Sequence, residues 1–213
     1  MDQAPSELMA RLVTSRVVFG LLAAVAVALG ASGCGGSSKP KAKPASFRGG
    51  EIVNAPRAPD FALPDQSGRL VRLSSFAGKL RIVTFLYTHC PDVCPLIASN
   101  LNQALRDLGP ERSKLRVLAV SVDPRGDTAA AVRRYVKERR LLPEFRYLRG
   151  SARQLRPVWA SYNIISDPDR TDRAVSHSAF EILVDGRGRE RLFYDAKVTA
   201  PEVVHDVRLL LRS

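Results

Sequence analysis

From residue 58 onward the apolar positions keep two rhythms. Leu80 to Tyr87 and Leu115 to Val122 are apolar runs rich in β-branched residues, which suits strands buried on both faces of a sheet. After the first run, Ile97, Leu101, Ala104, Leu105 and Leu108 recur at spacings of three and four, predicting an amphipathic helix from Pro95 that is closed by Gly109 and Pro110. After the second, Asp123 to Asp127 reads as a loop and N-cap for a helix with Val132, Tyr135 and Val136 on one face. Phe145, Tyr147 and Leu148 suggest a further strand, and Ser151 with Gln154 is a capping box opening a helix through Val158 and Trp159.

The flanks complete the pattern. Ala58 to Leu63 reads as a short strand that Asp65, Gln66, Ser67 and Gly68 turn into Leu70 to Leu73, a hairpin, and Ser74 to Gly78 adds a short helical turn. Ser161 to Ser176 is a polar loop, after which His177 precedes a strand from Phe180 to Val184. Asp185 to Gly188 turns that strand into Arg191 to Tyr194, and Thr199 with Glu202 opens a final helix on Val203, Val207, Leu210 and Leu211. Strands alternating with helices and ending in a hairpin plus helix predict an α/β domain: a thioredoxin-like mixed sheet with helices on both faces, extended by an N-terminal hairpin and a long loop before His177.

The first fifty residues follow neither rhythm. Arg11 and Arg16 precede an uncharged apolar run from Val17 to Ala31, the layout of a secretory signal peptide, too short for a comfortable membrane span. The run ends in Ala31, Ser32, Gly33, Cys34, which resembles the lipobox of bacterial lipoproteins, in which the cysteine is lipidated and becomes the mature N-terminus. The organisation expected is a lipoprotein-type signal peptide over 1–33, a lipidated Cys34 with a flexible basic tether to 57, and one domain over 58–213. An uncleaved anchor and ordinary secretion are the other readings, and all three place the domain outside the cytoplasm, where disulfides persist.

Charge adds little. The 33 Lys and Arg against 21 Asp and Glu give +12, but Lys39, Lys41, Lys43 and Arg48 sit in the tether and the other arginines are scattered without aromatic interleaving, which argues against nucleic acid. Cysteine is more informative. Of three, only Cys90 and Cys94 fall in the folded part, so no multi-disulfide framework exists.

Those two stand in Tyr87, Thr88, His89, Cys90, Pro91, Asp92, Val93, Cys94, Pro95, where a strand gives way to a helix. Free N–H groups and the macrodipole at a helix N-terminus favour thiolates. Four positions apart, the sulfurs share a helical face; they can close a disulfide or hold one soft ion between them. For a third ligand the chain offers His89, expected to point away from the sulfurs; His205, beside Asp206 in the last helix; and His177, at the end of a long loop. The residues alone leave His177 open between ligand and loop residue. Two thiolates and an imidazole suit Cu(I) and tolerate Cu(II), whereas structural zinc prefers four protein ligands. Asp92 is a capping residue on this reading.

YTHCPDVCP at Tyr87 to Pro95, SVDPRGDT at Ser121 to Thr128 and SHSAFEILVDGRG at Ser176 to Gly188 together resemble the Sco/SenC family, extracytoplasmic copper-binding proteins of cytochrome c oxidase assembly. The resemblance implies that Cys90, Cys94 and His177 bind copper, as Cu(I) or Cu(II), and that the protein is a metallochaperone rather than an enzyme. It would take copper from an unidentified donor and deliver it to the CuA centre of cytochrome c oxidase subunit II, held at the membrane by a lipid anchor. The alternative that the family offers is a thiol-disulfide reductase in which Cys90 and Cys94 are catalytic and keep the CuA cysteines reduced.

Overall fold

The computed structural model describes residues 46–166 and 180–213. The chain enters through β1 (Gly50–Glu51), then forms a separate hairpin of β2 (Ala62–Pro64) and β3 (Leu70–Arg72). The core follows as β4 (Leu80–Leu86), α1 (Val93–Asp107), β5 (Leu115–Ser121), α2 (Ala129–Glu138), β6 (Phe145–Leu148) and α3 (Ala152–Ser161). Strand β7 (Phe180–Val184), β8 (Glu190–Asp195) and α4 (Ala200–Leu210) close the fold. The sheet runs β1-β8-β7-β4-β5-β6, with β4, β5 and β6 parallel and the other pairings antiparallel. This is the expected thioredoxin-like α/β layout.

Register shows which helix covers which face. Tyr147, Ala119, Thr84, Glu181 and Tyr194 are successive cross-strand partners and so share one face. The Tyr194 hydroxyl reaches Asp206 on α4, the Tyr147 ring packs on Tyr135 of α2, and the Tyr135 hydroxyl meets the Cys94 carbonyl of α1. Helices α1, α2 and α4 therefore lie together. On the opposite face α3 donates Trp159 Nε1–H to the Ser121 carbonyl, and Phe85, Tyr162, Phe61 and Phe180 form an aromatic cluster. Both expected capping boxes form, with the Ser151 N–H on Gln154 and the Thr199 N–H on Glu202, each at 2.9 Å.

Three details depart from the sequence reading. Tether was expected to residue 57, yet Gly50–Glu51 pair with β8, and the Arg48 and Gly49 N–H groups bond the buried Asp206 carboxylate. The glycines that suggest flexibility in sequence here admit aromatic rings: a Cβ on Gly49 would lie 2.6 Å from the Tyr194 ring. The first hairpin strand is shorter than Ala58 to Leu63, because Asp60 turns aside to accept the Ser74 N–H and hydroxyl. Third, the run from Leu80 is not wholly apolar: Arg81 is buried within β4.

Candidate metal centre

Every residue of β4 is buried, and the chain leaves its carboxyl end directly into the two-cysteine loop. Cys90 N–H bonds the Tyr87 carbonyl at 3.3 Å, which bends the loop so that the Cys90 sulfur faces the first turn of α1. There Sγ of Cys90 accepts the Cys94 N–H at 3.4 Å. The sulfur thus takes one of the free N–H groups at the helix start, the role expected of Asp92. Asp92 does occupy the N-cap position, but its side chain makes no capping bond.

Both cysteines are free thiols with little or no solvent exposure, and they are inequivalent. Burial alone would raise the Cys90 pKa; hydrogen bonds from the Cys94 thiol, the Asp92 and Cys94 N–H groups and the Tyr87 hydroxyl outweigh it, and the net shift is downward. Cys94 is pushed strongly up, by burial first and then by its bond to Cys90. Cys90 is therefore the more acidic thiol of the pair and Cys94 the one that holds its proton. Limited iodoacetamide treatment should label Cys90 well ahead of Cys94 in peptide mass spectra, with a Cys90 midpoint below the ordinary thiol value of 9.0. Equal labelling would contradict the asymmetry.

The loop is fastened by a residue that sequence reasoning assigned only to a turn. Asp127 is not the N-cap of α2; Thr128 is, accepting the Ala131 N–H. Asp127 instead points inward, where Oδ1 accepts the Thr88 N–H at 2.8 Å and its hydroxyl at 2.7 Å, and Oδ2 accepts the Ser121 hydroxyl at 2.6 Å and the Tyr147 hydroxyl at 3.0 Å. Burial raises its pKa and these four donors partly restrain the rise. The link joins SVDPRGDT to the cysteine loop two residues before Cys90. Nothing local in the sequence points to it, since the donors come from the cysteine loop and from β5 and β6. Asp127→Ala should cost roughly 3 kcal/mol, by leaving buried donors unpaired, and should loosen the loop; urea unfolding measures the cost.

His89 is exposed, its Nδ1 3.1 Å from the Thr88 hydroxyl and turned toward the SVDPRGDT loop. Ligand atoms of His89, Asp123 and Asp127 lie within 4.8 Å of one another. They make a poor cation site, because both Asp127 oxygens already accept two hydrogen bonds. His205 bonds Asp206 at 2.8 Å on α4 and helps to anchor the entering chain. His177 and Cys34 lie outside the described residues, so the structure brings together Cys90 and Cys94 alone of the candidate ligands.

A model of the family described as SCO1/SenC matches residues 50–212. The chain belongs to the SCO1/SenC family. Among curated relatives, the mitochondrial Sco2 homologue of Bos taurus is 34% identical over 156 residues, covering 70% of this chain and 58% of that protein. This chain thus spans little more than half of the relative's length. Among solved structures, apo Sco1 from Thermus thermophilus is 33% identical with a TM-score of 0.66, covering 78% of this chain and 97% of that one. Copper-bound ScoI from Bradyrhizobium japonicum is 30% identical with a TM-score of 0.64, covering 73% and 99%. Among the described residues of this SCO1/SenC protein, no helix is long and apolar enough to cross a membrane.

Proposed function

We propose that this protein is an extracytoplasmic, membrane-anchored copper chaperone, in which Cys90, Cys94 and His177 bind one copper and pass it to the CuA centre of cytochrome c oxidase subunit II. The observation that carries this reading is the hydrogen-bonded pair of reduced thiols at the start of α1, a preformed two-sulfur donor set for a soft ion. The copper-bound relative supports the choice of metal. For His177 the support is strand direction. Strand β7 runs antiparallel to β4, and Phe180, three residues after His177, packs its ring 6.2 Å from Phe85 near the end of β4 that leads to Cys90. Anchoring rests on Cys34 and its small-residue approach in the sequence.

The thiol asymmetry favours a second reading, a reductase of the oxidase's CuA cysteines. The Cys90 thiolate would attack a target disulfide, releasing one target thiolate and forming a mixed disulfide. Cys94, after losing its proton, would displace the second target thiolate and leave this chain with a Cys90 to Cys94 disulfide. Incubation of the copper-loaded protein with apo subunit II separates the two. Copper appearing in CuA, and lost with His177→Ala, is the expected outcome. Reduction of the subunit's disulfide without copper transfer would replace the chaperone reading by the reductase one.

A further inference from the structure

At the end of β4 away from Cys90, the buried Arg81 guanidinium faces a cleft of about 270 Å3 lined also by Arg57, Arg187, Ser74, Asp60 and Gly188. Arg81 is 3% exposed and has no ion pair among the described residues. Its Nη1 donates to the carbonyls of Lys79 at 2.6 Å and Phe76 at 3.2 Å. Nε finds no partner among the described residues, and neither does Nη2. A buried arginine with idle donors is costly, since desolvation of a guanidinium is repaid only by acceptors or a counter-charge.

The surroundings make an anion the natural complement. Arg57 and Arg187 also line the cleft, neither in an ion pair among the described residues. The one carboxylate in the lining, Asp60, is already committed to the Ser74 N–H, the Ser74 hydroxyl and Arg72. Asp185, the other acid near Arg81, is held by the Arg187 and Arg189 N–H groups and by Arg191. Gly188, at a φ of +82°, turns the chain beside Arg81: a Cβ there would sit in ordinary contact, 3.5 Å from Arg81 Nη2. Three arginines lining a small cleft match a compact dianion, because arginine presents several fixed donors to phosphate oxygens.

We propose that this cleft is a phosphoryl-anion site with Arg81 as its floor, taking phosphate as the free ion or as a phospholipid headgroup. It lies on the order of 15–20 Å along β4 from the cysteine loop, at about 3.3 Å per residue. A headgroup bound there would hold the thiols away from the lipid, facing a partner; only that arm rests on the membrane reading above.

The test uses the full chain and three forms: wild type, Arg81→Met, and the surface pair Arg57→Gln with Arg187→Gln, which keeps the site falsifiable should Arg81→Met fold poorly. Inorganic phosphate should raise the wild-type melting midpoint by several degrees at saturation, as any native-state ligand does, and raise both variants little or not at all. In parallel, retention on vesicles of phosphatidylglycerol in phosphatidylcholine is compared with phosphatidylcholine alone. A phosphate response without extra retention assigns the free ion. Extra retention lost in the variants assigns the headgroup. Equal responses in all three forms, or none in either arm, would overturn the site. Copper binding measured in the same samples should be unchanged, so failure here stays distinct from failure of the copper reading.

Discussion

Replacing Glu181 with Met should make the protein more stable above neutral pH by several kcal/mol, and should flatten its stability between pH 5 and pH 8. Glu181 is fully buried on β7; its Oε1 is 3.3 Å from the Thr84 hydroxyl and its Oε2 has no partner among the described residues. Burial, with a smaller contribution from Asp195, pushes its pKa from 4.5 up to about 8, against the Thr84 hydrogen bond. The folded state therefore keeps a proton that the unfolded chain has released above pH 4.5. In that window the unfolded state binds fewer protons, so stability falls as pH rises from 4.5 to about 8 and is level beyond it. At about 1.4 kcal/mol per pH unit, the loss from pH 5 to pH 8 is about 4 kcal/mol. Urea unfolding of wild type and variant across this range measures the difference. Parallel curves would mean that Glu181 is not the group responsible.

Cys94→Ser should lower Cu(I) affinity by orders of magnitude while leaving the fold intact, because a hydroxyl fills the same space but is a hard, weak ligand. Cys90→Ser should do the same. The wild-type affinity should also rise with pH, since copper displaces the thiol protons. Cys94, with its raised pKa, releases one throughout the neutral range, and Cys90, with its lowered pKa, releases a second only below its own pKa. Affinity should thus climb at least about tenfold per pH unit near neutrality, and more steeply below the Cys90 pKa. Competition with a Cu(I) chelator at several pH values measures both effects. A pH-independent affinity, or a serine variant that binds as the wild type does, would remove the thiol pair from the site.

What the sequence disclosed and what it concealed have a common physical origin. The buried strands β4 and β5, the spacing of α1 and the capping boxes at Ser151 and Thr199 depend on near neighbours, and they formed as expected. The two cysteines were legible for the same reason, four residues apart at a strand-to-helix junction. Asp127, Glu181 and Arg81 were not, because their settings are tertiary. Asp127 looks like any loop acid until Thr88, Ser121 and Tyr147 converge on it. Glu181 and Arg81 interrupt otherwise apolar strands, and nothing local says whether such a charge faces water or the core. Strand β1 was missed because glycines suggest freedom in sequence, and only the Tyr194 and Phe193 rings show why they are needed.

The central claim is that Cys90, Cys94 and His177 hold one copper. X-ray absorption of the Cu(I)-loaded full chain tests it most directly. Two sulfur ligands and one imidazole nitrogen in the wild type, with the nitrogen lost in His177→Ala, are the expected result; a site of sulfur alone, or a spectrum unchanged by that substitution, would contradict it.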